Sequence, residues 1–351
     1  MERQIQSVDF LEHLKHITEV CGDPGSGLLY LRNQFGMFRL SNVYHYTDIS
    51  GFISIMQNRE LWASHIAFMN DTSEYLHGKD LFQKQIEKTI PEVSDVKKQV
   101  LKAALESLNQ EKSSWVFPTS SKDVFSISFS YNRDSLEMWR GYGKDSGIAI
   151  GFDFAKCHSL PGMCLIREEM YEKLLKKYNN IPENVCPDYE LLFFPISVLY
   201  EDNQKQEAVK QAIEIGIKCF ESREKTAREI AELSASELLS DLMFNLIPLL
   251  KHRGFSGEAE CRFVDNSIKR GDDAYRIHYR NRGGIILPYI KYKLMDLNCR
   301  PLKEMPICEI VVGPGLKQAK VVESVKYFLE RNQMENLVDK VRASDIPYID
   351  V

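Results

Sequence analysis

VFSISFS, residues Val124 to Ser130, alternates a large apolar side chain with a hydroxyl at every step after its first residue. In a strand, alternate residues share a face, so Phe125, Ile127 and Phe129 turn one way and Ser126, Ser128 and Ser130 the other. The result is a polar wall backed by a core. Two other segments show the same division. In VYHYT from Val43, His45 shares a face with Val43 and Thr47, while Tyr44 and Tyr46 point away. In GFSGEAECRF from Gly254, Glu258, Glu260 and Arg262 share a face, with Cys261 and Phe263 behind them. Each segment sets polar groups on a strand whose other face is buried.

Around these segments two textures alternate. Residues 43–47, 61–64, 124–130, 147–152, 260–264, 285–291 and 308–312 read as strands, from β-branched and aromatic residues bounded by Gly, Asn or Asp. Residues 75–112 and 188–250 are rich in Lys, Glu, Leu and Ala at helical spacing. Strands flank the second block on both sides. The expectation is therefore one α+β domain over residues 1–351, with a helical excursion at 75–112 and a helical insertion at 188–250. Residues 177–187 (YNNIPENVCPD) read as the loop that enters the insertion. After Thr47, the apolar spacing of Ile49, Phe52, Ile53 and Met56 predicts a helix buried by one face. Asp134 with Glu137, and Asp71 with Glu74, have capping-box spacing and mark two further helix starts.

The 351 residues are 44% hydrophobic and 27% charged, the balance of an ordinary globular chain able to bury a core. A net charge of −5 argues against a general nucleic-acid-coating protein, though not against a local basic site. No apolar run has the length of a membrane span; LLFFPISVLY from Leu191 is short and is broken by Pro195. The first residues, MERQIQSVDFLEHLKHI, contain no signal-peptide core. The eight cysteines (21, 157, 164, 186, 219, 261, 299 and 308) form no CxxC pair, which reads as reduced thiols and argues against zinc. A cytoplasmic location is the expectation.

The order His strand, Ser-x-Ser strand, Glu-x-Glu strand resembles the ADP-ribosyltransferase fold, in which three such strands line one NAD cleft. Here the middle motif is Ser-Phe-Ser where those enzymes carry Ser-Thr-Ser. The local sequences are also similar to the bacterial family called domain of unknown function 2971. They are His45-Tyr46-Thr47, Leu61 to Ser64, Asn70-Asp71 with Glu74, Ser128-Phe129-Ser130, Met138-Trp139 with Tyr142-Gly143, and Glu258-x-Glu260-x-Arg262. IVVGPG from Ile310 and SDIPY from Ser344 extend that likeness toward the end of the chain.

The transferase resemblance implies a split mixed β-sheet core, NAD as the substrate, and a protein, DNA or RNA acceptor, with a toxin-like or phage-defence role. Cleaving the nicotinamide–ribose bond passes through an oxocarbenium-like centre, which a facing carboxylate stabilises more than the ground state. The resemblance gives that task to Glu260 and preparation of the acceptor to Glu258. His45 would bond ribose hydroxyls beside Thr47, Ser128 would steady Glu260 or the ribose, and Ser130 would line the same wall. Tyr46 or Tyr142 would stack on nicotinamide, and Arg140 or Arg262 would meet the pyrophosphate.

Each residue also has a structural interpretation. A strand His is more often a satisfied core residue, and Glu-x-Glu-x-Arg is more often a surface ion-pair ladder. Trp139 reads as a core anchor, and Asn70-Asp71 as a turn and helix cap. Two other functions compete: an inactive nucleotide- or nucleic-acid-binding module of the same fold, and a metal-dependent nuclease using Asp71, Glu74, Glu258 and Glu260.

Overall fold

A computed structural model describes residues 41–69, 72–109, 122–143, 147–153, 163–177, 191–192, 195–223, 228–269, 277–296, 302 and 304–347. Asn70 and Asp71 lie outside them, as does the side chain of Glu74.

The fold is mixed α+β, built on an open mixed sheet. Its strands are β1 (Val43–Thr47), β2 (Glu60–His65), β3 (Lys122–Ser130), β4 (Ile148–Phe152), β5 (Met163–Arg167) and β6 (Leu191–Leu192). They continue with β7 (Ile196–Ser197), β8 (Glu260–Lys269), β9 (His278–Arg282), β10 (Ile285–Asp296), β11 (Ile307–Val312) and β12 (Val341–Ala343). Among the described residues these join in the order β12-β11-β4-β1-β3-β2-β10-β5-β6, with β8 on β3, β7 on β8 and β9 on β10. β11 and β12 pair in parallel, and the other strand pairs are antiparallel.

Strand β3 has three neighbours, and this shapes the molecule. β8 runs along one edge of β3 from Lys122↔Lys269 to Ser130↔Glu260. β1 and β2 therefore share the other edge. β1 pairs there at Tyr44↔Ser130, and β2 at Ser64↔Ser126 and His65↔Phe125. Between those points, at Ile127, Ser128 and Phe129, neither strand pairs with β3. The sheet forks: β1 leaves with β4, β11 and β12, and β2 leaves with β10, β9 and β5.

Both faces of the sheet are covered. The helices are α1 (Ile49–Asn58), α2 (Thr72–Thr89), α3 (Asp95–Asn109), α4 (Leu136–Tyr142), α5 (Glu168–Lys177), α6 (Asp202–Arg223), α7 (Arg228–Leu246) and α8 (Gln318–Arg331). On one face, Phe52, Ile55 and Met56 of α1 and Val325 and Leu329 of α8 join Phe125, Ile127, Phe129 and Cys261 in a core. On the serine face, α2, α3, α6 and α7 form a helical layer that meets the sheet at Val124, Ile196 and Val264. A smaller cluster under α4 joins Met138 and Trp139 to Tyr44 and Tyr46. The serine strip of β3 lies between these two covers.

Local chemistry sets the elements. Asp48 caps α1 by accepting from the Gly51 amide at 2.7 Å. The buried stripe of α1 is Phe52, Ile55 and Met56, whereas Ile49 and Ile53 are exposed, so the helix is rotated from the face that the sequence spacing predicts. Asp134 does not cap α4, whose N-cap residue is Ser135. Its carboxylate instead accepts from Trp139 Nε1 at 2.5 Å, Ser344 Oγ at 2.7 Å and the Asp345 amide at 2.9 Å, which latches the SDIPY segment onto α4. Strands β5, β9 and β12 are additions to the sequence-based expectation. HYRNR has no apolar alternation, and it is recruited by its turn. Gly283 and Gly284 have φ of +60° and +86°, the two positive values that a tight two-residue hairpin with native twist requires. The 188–250 block holds the short strands β6 and β7 before its helices begin at Asp202. Among the described residues, no helix is long and apolar enough to cross a membrane.

Candidate functional site

The site is centred on Ser128 at the fork. With no strand opposite it on that edge, its carbonyl needs another donor. His45 Nδ1 lies 2.9 Å from that oxygen and must carry the proton to donate to it. Desolvation lowers the pKa of His45 to about 4, with Arg280 and Arg282 acting in the same sense and the Ser128 bond opposing them. The imidazole is therefore neutral near pH 7, and Nε2 keeps a lone pair as an acceptor. By register Tyr44, Ser130 and Glu260 lie in one row across the sheet, so His45 starts on the opposite face and turns into the fork. Thr47 is half-buried at the end of the same strand.

On the serine face, Glu260 is fixed between two cations. Arg262 donates Nε to Oε1 at 2.6 Å and Nη2 to Oε2 at 2.8 Å, and Lys251 Nζ reaches Oε2 at 3.0 Å. Burial would raise this carboxyl, but Arg262 and Lys251 more than offset it and hold the pKa at about 2. Ser128 Oγ is buried beside the carboxylate and contributes in the same sense, without closing a hydrogen bond of normal length. Lys251 Nζ also donates to Glu258 Oε2 at 2.5 Å. The side chain of Glu258 is 17% exposed against 3% for Glu260, so Glu258 is the more accessible acid. Tyr142 closes the group. Its hydroxyl is pushed up to about 12 by burial and then by Glu260 and Glu258. The Arg282 guanidinium lies 5.9 Å from its ring centroid.

The structure thus brings His45, Ser128, Glu258, Glu260 and Tyr142 around the fork, but it changes what several can do. Glu260 is a buried ion-pair residue with both oxygens engaged. Arg262 is not available for pyrophosphate: two nitrogens are on Glu260 and Nη1 donates to the Pro248 carbonyl at 2.6 Å. Tyr46 is buried edge-on against Trp139, and its hydroxyl donates to the Asn132 carbonyl at 2.9 Å, so its face is not offered for stacking. Ser130 Oγ donates to the Glu258 carbonyl at 2.6 Å and accepts from the Asn132 amide at 3.0 Å, which positions the chain before β8. Arg140 is exposed on α4.

Four residues to which the sequence reading gave no individual role lie at the site. Lys251 joins the two acids. Arg280 and Arg282 approach from β9, and Trp62 stacks on Tyr289 beside them with centroids 4.5 Å apart. The available signal was the alternation His278-x-Arg280-x-Arg282 ahead of Gly-Gly, a strand-and-turn pattern without apolar residues.

Among the described residues, no group of three or more His, Cys, Asp or Glu side chains could hold a metal ion. The four-acid set considered for a nuclease includes Asp71 and the Glu74 side chain, which lie outside those residues. No curated protein and no solved structure matches the chain. A family model described as Protein of unknown function (DUF2971) matches residues 138–263, and over that span, which runs from α4 to β8 and carries Tyr142, Lys251, Glu258, Glu260 and Arg262, the chain is similar to that family.

Proposed function

We propose that the protein is an NAD-dependent ADP-ribosyltransferase whose split sheet takes NAD in the fork. One observation carries this: β1 and β8 both pair with β3, and the sheet opens at Ser128, whose carbonyl faces a neutral His45 and whose hydroxyl lies beside the Glu260 carboxylate. In the reaction, the C1′–N bond of the nicotinamide ribose breaks, and its electron pair leaves with neutral nicotinamide. An acceptor nucleophile on a protein, DNA or RNA, or water, bonds to C1′ and loses its proton. His45 Nε2 accepts from a ribose hydroxyl. Glu258, the accessible acid, faces the developing positive charge and takes the acceptor's proton. Glu260 is a positioning residue that fixes Arg262 and Lys251, and Lys251 in turn aims Glu258. Tyr142 is the aromatic face for nicotinamide. A toxin-like or defence role is part of the same proposal.

The test is nicotinamide release from NAD, with and without protein, DNA and RNA acceptors. Glu258→Gln is expected to reduce release by roughly a hundred- to thousandfold while the protein stays folded. Full activity in folded Glu258→Gln would remove the assignment. One observation favours a second reading, an inactive nucleotide-binding module: both oxygens of Glu260 are held by Arg262 and Lys251. Such a module would bind NAD and release no nicotinamide with any acceptor.

A further inference from the structure

Arg280 stands where a charge is hard to keep. Its Nη2 donates to Ser64 Oγ at 2.9 Å, but its Nε is buried with no hydrogen-bond partner. The guanidinium lies 5.4 Å from the Trp62 ring centroid and 5.5 Å from that of Tyr289. Arg282, two residues on, is close enough to depress the ionisation of Arg280 further after burial has done so. Neither arginine takes part in an ion pair among the described residues. The acids of that surface are already engaged: Glu60 by Lys291 and Lys293, and Glu168 by Lys291 and His278. Asp48, which also acts on Arg280, holds the N-cap of α1.

Two neighbouring guanidiniums without a counter-charge repel, and a buried donor without a partner forfeits the hydrogen bond it made to water. Both penalties vanish if an anion sits between them. The position is specific: Arg280 reaches Ser64, which pairs with Ser126 on one arm of the fork, and Arg282 lies over Tyr142 on the other side. A phosphate group matches the planar donor fork of arginine, and a pyrophosphate offers one phosphate to each side chain.

We propose that Arg280 and Arg282, carried across the fork by the β9–β10 hairpin, clamp the pyrophosphate of the dinucleotide, an assignment that rests on the fork taking NAD and replaces Arg140 and Arg262 in that role. Calorimetric titration of the full chain with ADP-ribose, inorganic pyrophosphate and adenosine tests it. The wild type is expected to bind ADP-ribose and pyrophosphate and to bind adenosine far more weakly. Arg280→Gln and Arg282→Gln, each checked for folding by circular dichroism, are each expected to weaken ADP-ribose binding about tenfold or more. Arg280→Lys restores little if the planar fork is what matters. Nicotinamide release, followed in parallel, separates the two claims: arginine-dependent ADP-ribose binding with no release by any acceptor supports the clamp and removes the transferase. An unchanged ADP-ribose affinity in both folded glutamine variants overturns the clamp, as does a wild type that binds neither phosphate probe.

Discussion

Lowering the pH should unlatch the fork through His45. In the unfolded chain this imidazole takes up a proton around its ordinary 6.5; in the folded protein it does so only at about 4. The unfolded state therefore binds more protons between those values, and stability rises with pH across that window. The His45 contribution is complete above pH 6.5 and is lost as the pH falls toward 4. The gap, at about 1.4 kcal/mol per pH unit, amounts to about 3 kcal/mol. His45→Asn keeps an N–H able to reach the Ser128 carbonyl but cannot titrate. Urea unfolding of both proteins at pH 7, 5.5 and 4.5 isolates the term, because every other titrating group is common to them. The wild type should lose about 2–3 kcal/mol more than the variant between pH 7 and 4.5. Parallel losses would refute the neutral His45. So would a nitrogen-15 spectrum at pH 7 showing a doubly protonated ring, whereas a neutral ring with its proton on Nε2 would refute the bond to the Ser128 carbonyl.

Lys251→Met removes the ammonium that bridges Glu258 and Glu260 and should cost about 3–5 kcal/mol of unfolding free energy, read from urea denaturation. Gly151→Ala would set a Cβ 2.7 Å from the Tyr44 ring and 3.0 Å from Cys308 Sγ, so a loss of about 1–3 kcal/mol is expected by the same assay. Asp134→Ala removes the acceptor shared by Trp139, Ser344 and Asp345; limited proteolysis should then cut near residues 344–347 well before it cuts elsewhere.

What the sequence made legible follows from periodicity. VFSISFS alternates so strictly that strand, face and core side could be assigned from it, and the core under Phe125, Ile127 and Phe129 lies on that side. VYHYT revealed a strand but not its core side, because Val43 enters that core while Tyr44 and Tyr46 enter the smaller cluster under α4. Glu258 and Glu260 were identifiable as a pair. Their inequality was not, because it depends on Lys251 and on the depth of Arg262, and neither is encoded in local spacing. The His45–Ser128 bond was equally hidden, since it exists only where two strands part. Arg280 and Arg282 escaped notice because β9 has no apolar face: pairing with β10 holds it in place, and a positive-φ Gly-Gly turn sets its register.

The fork has a consequence for how the chain reaches its native state. β3 meets β8 only after a long excursion; Ser130 and the Glu258 carbonyl that it bonds are 128 residues apart in sequence. Loop closure over that distance must be met before the pairing returns anything, so this contact should form late and slowly. On the ribosome, at about 5–20 residues per second, the β3 edge waits about 6–26 seconds for β8 to emerge. During that interval Phe125, Ile127 and Phe129 line a sheet with an open rim, while the nascent helices α2, α3, α6 and α7 can already collapse on one another. The order of assembly would be helical layer first and central strand last, with the fork at Ser128 coming into being at the final step.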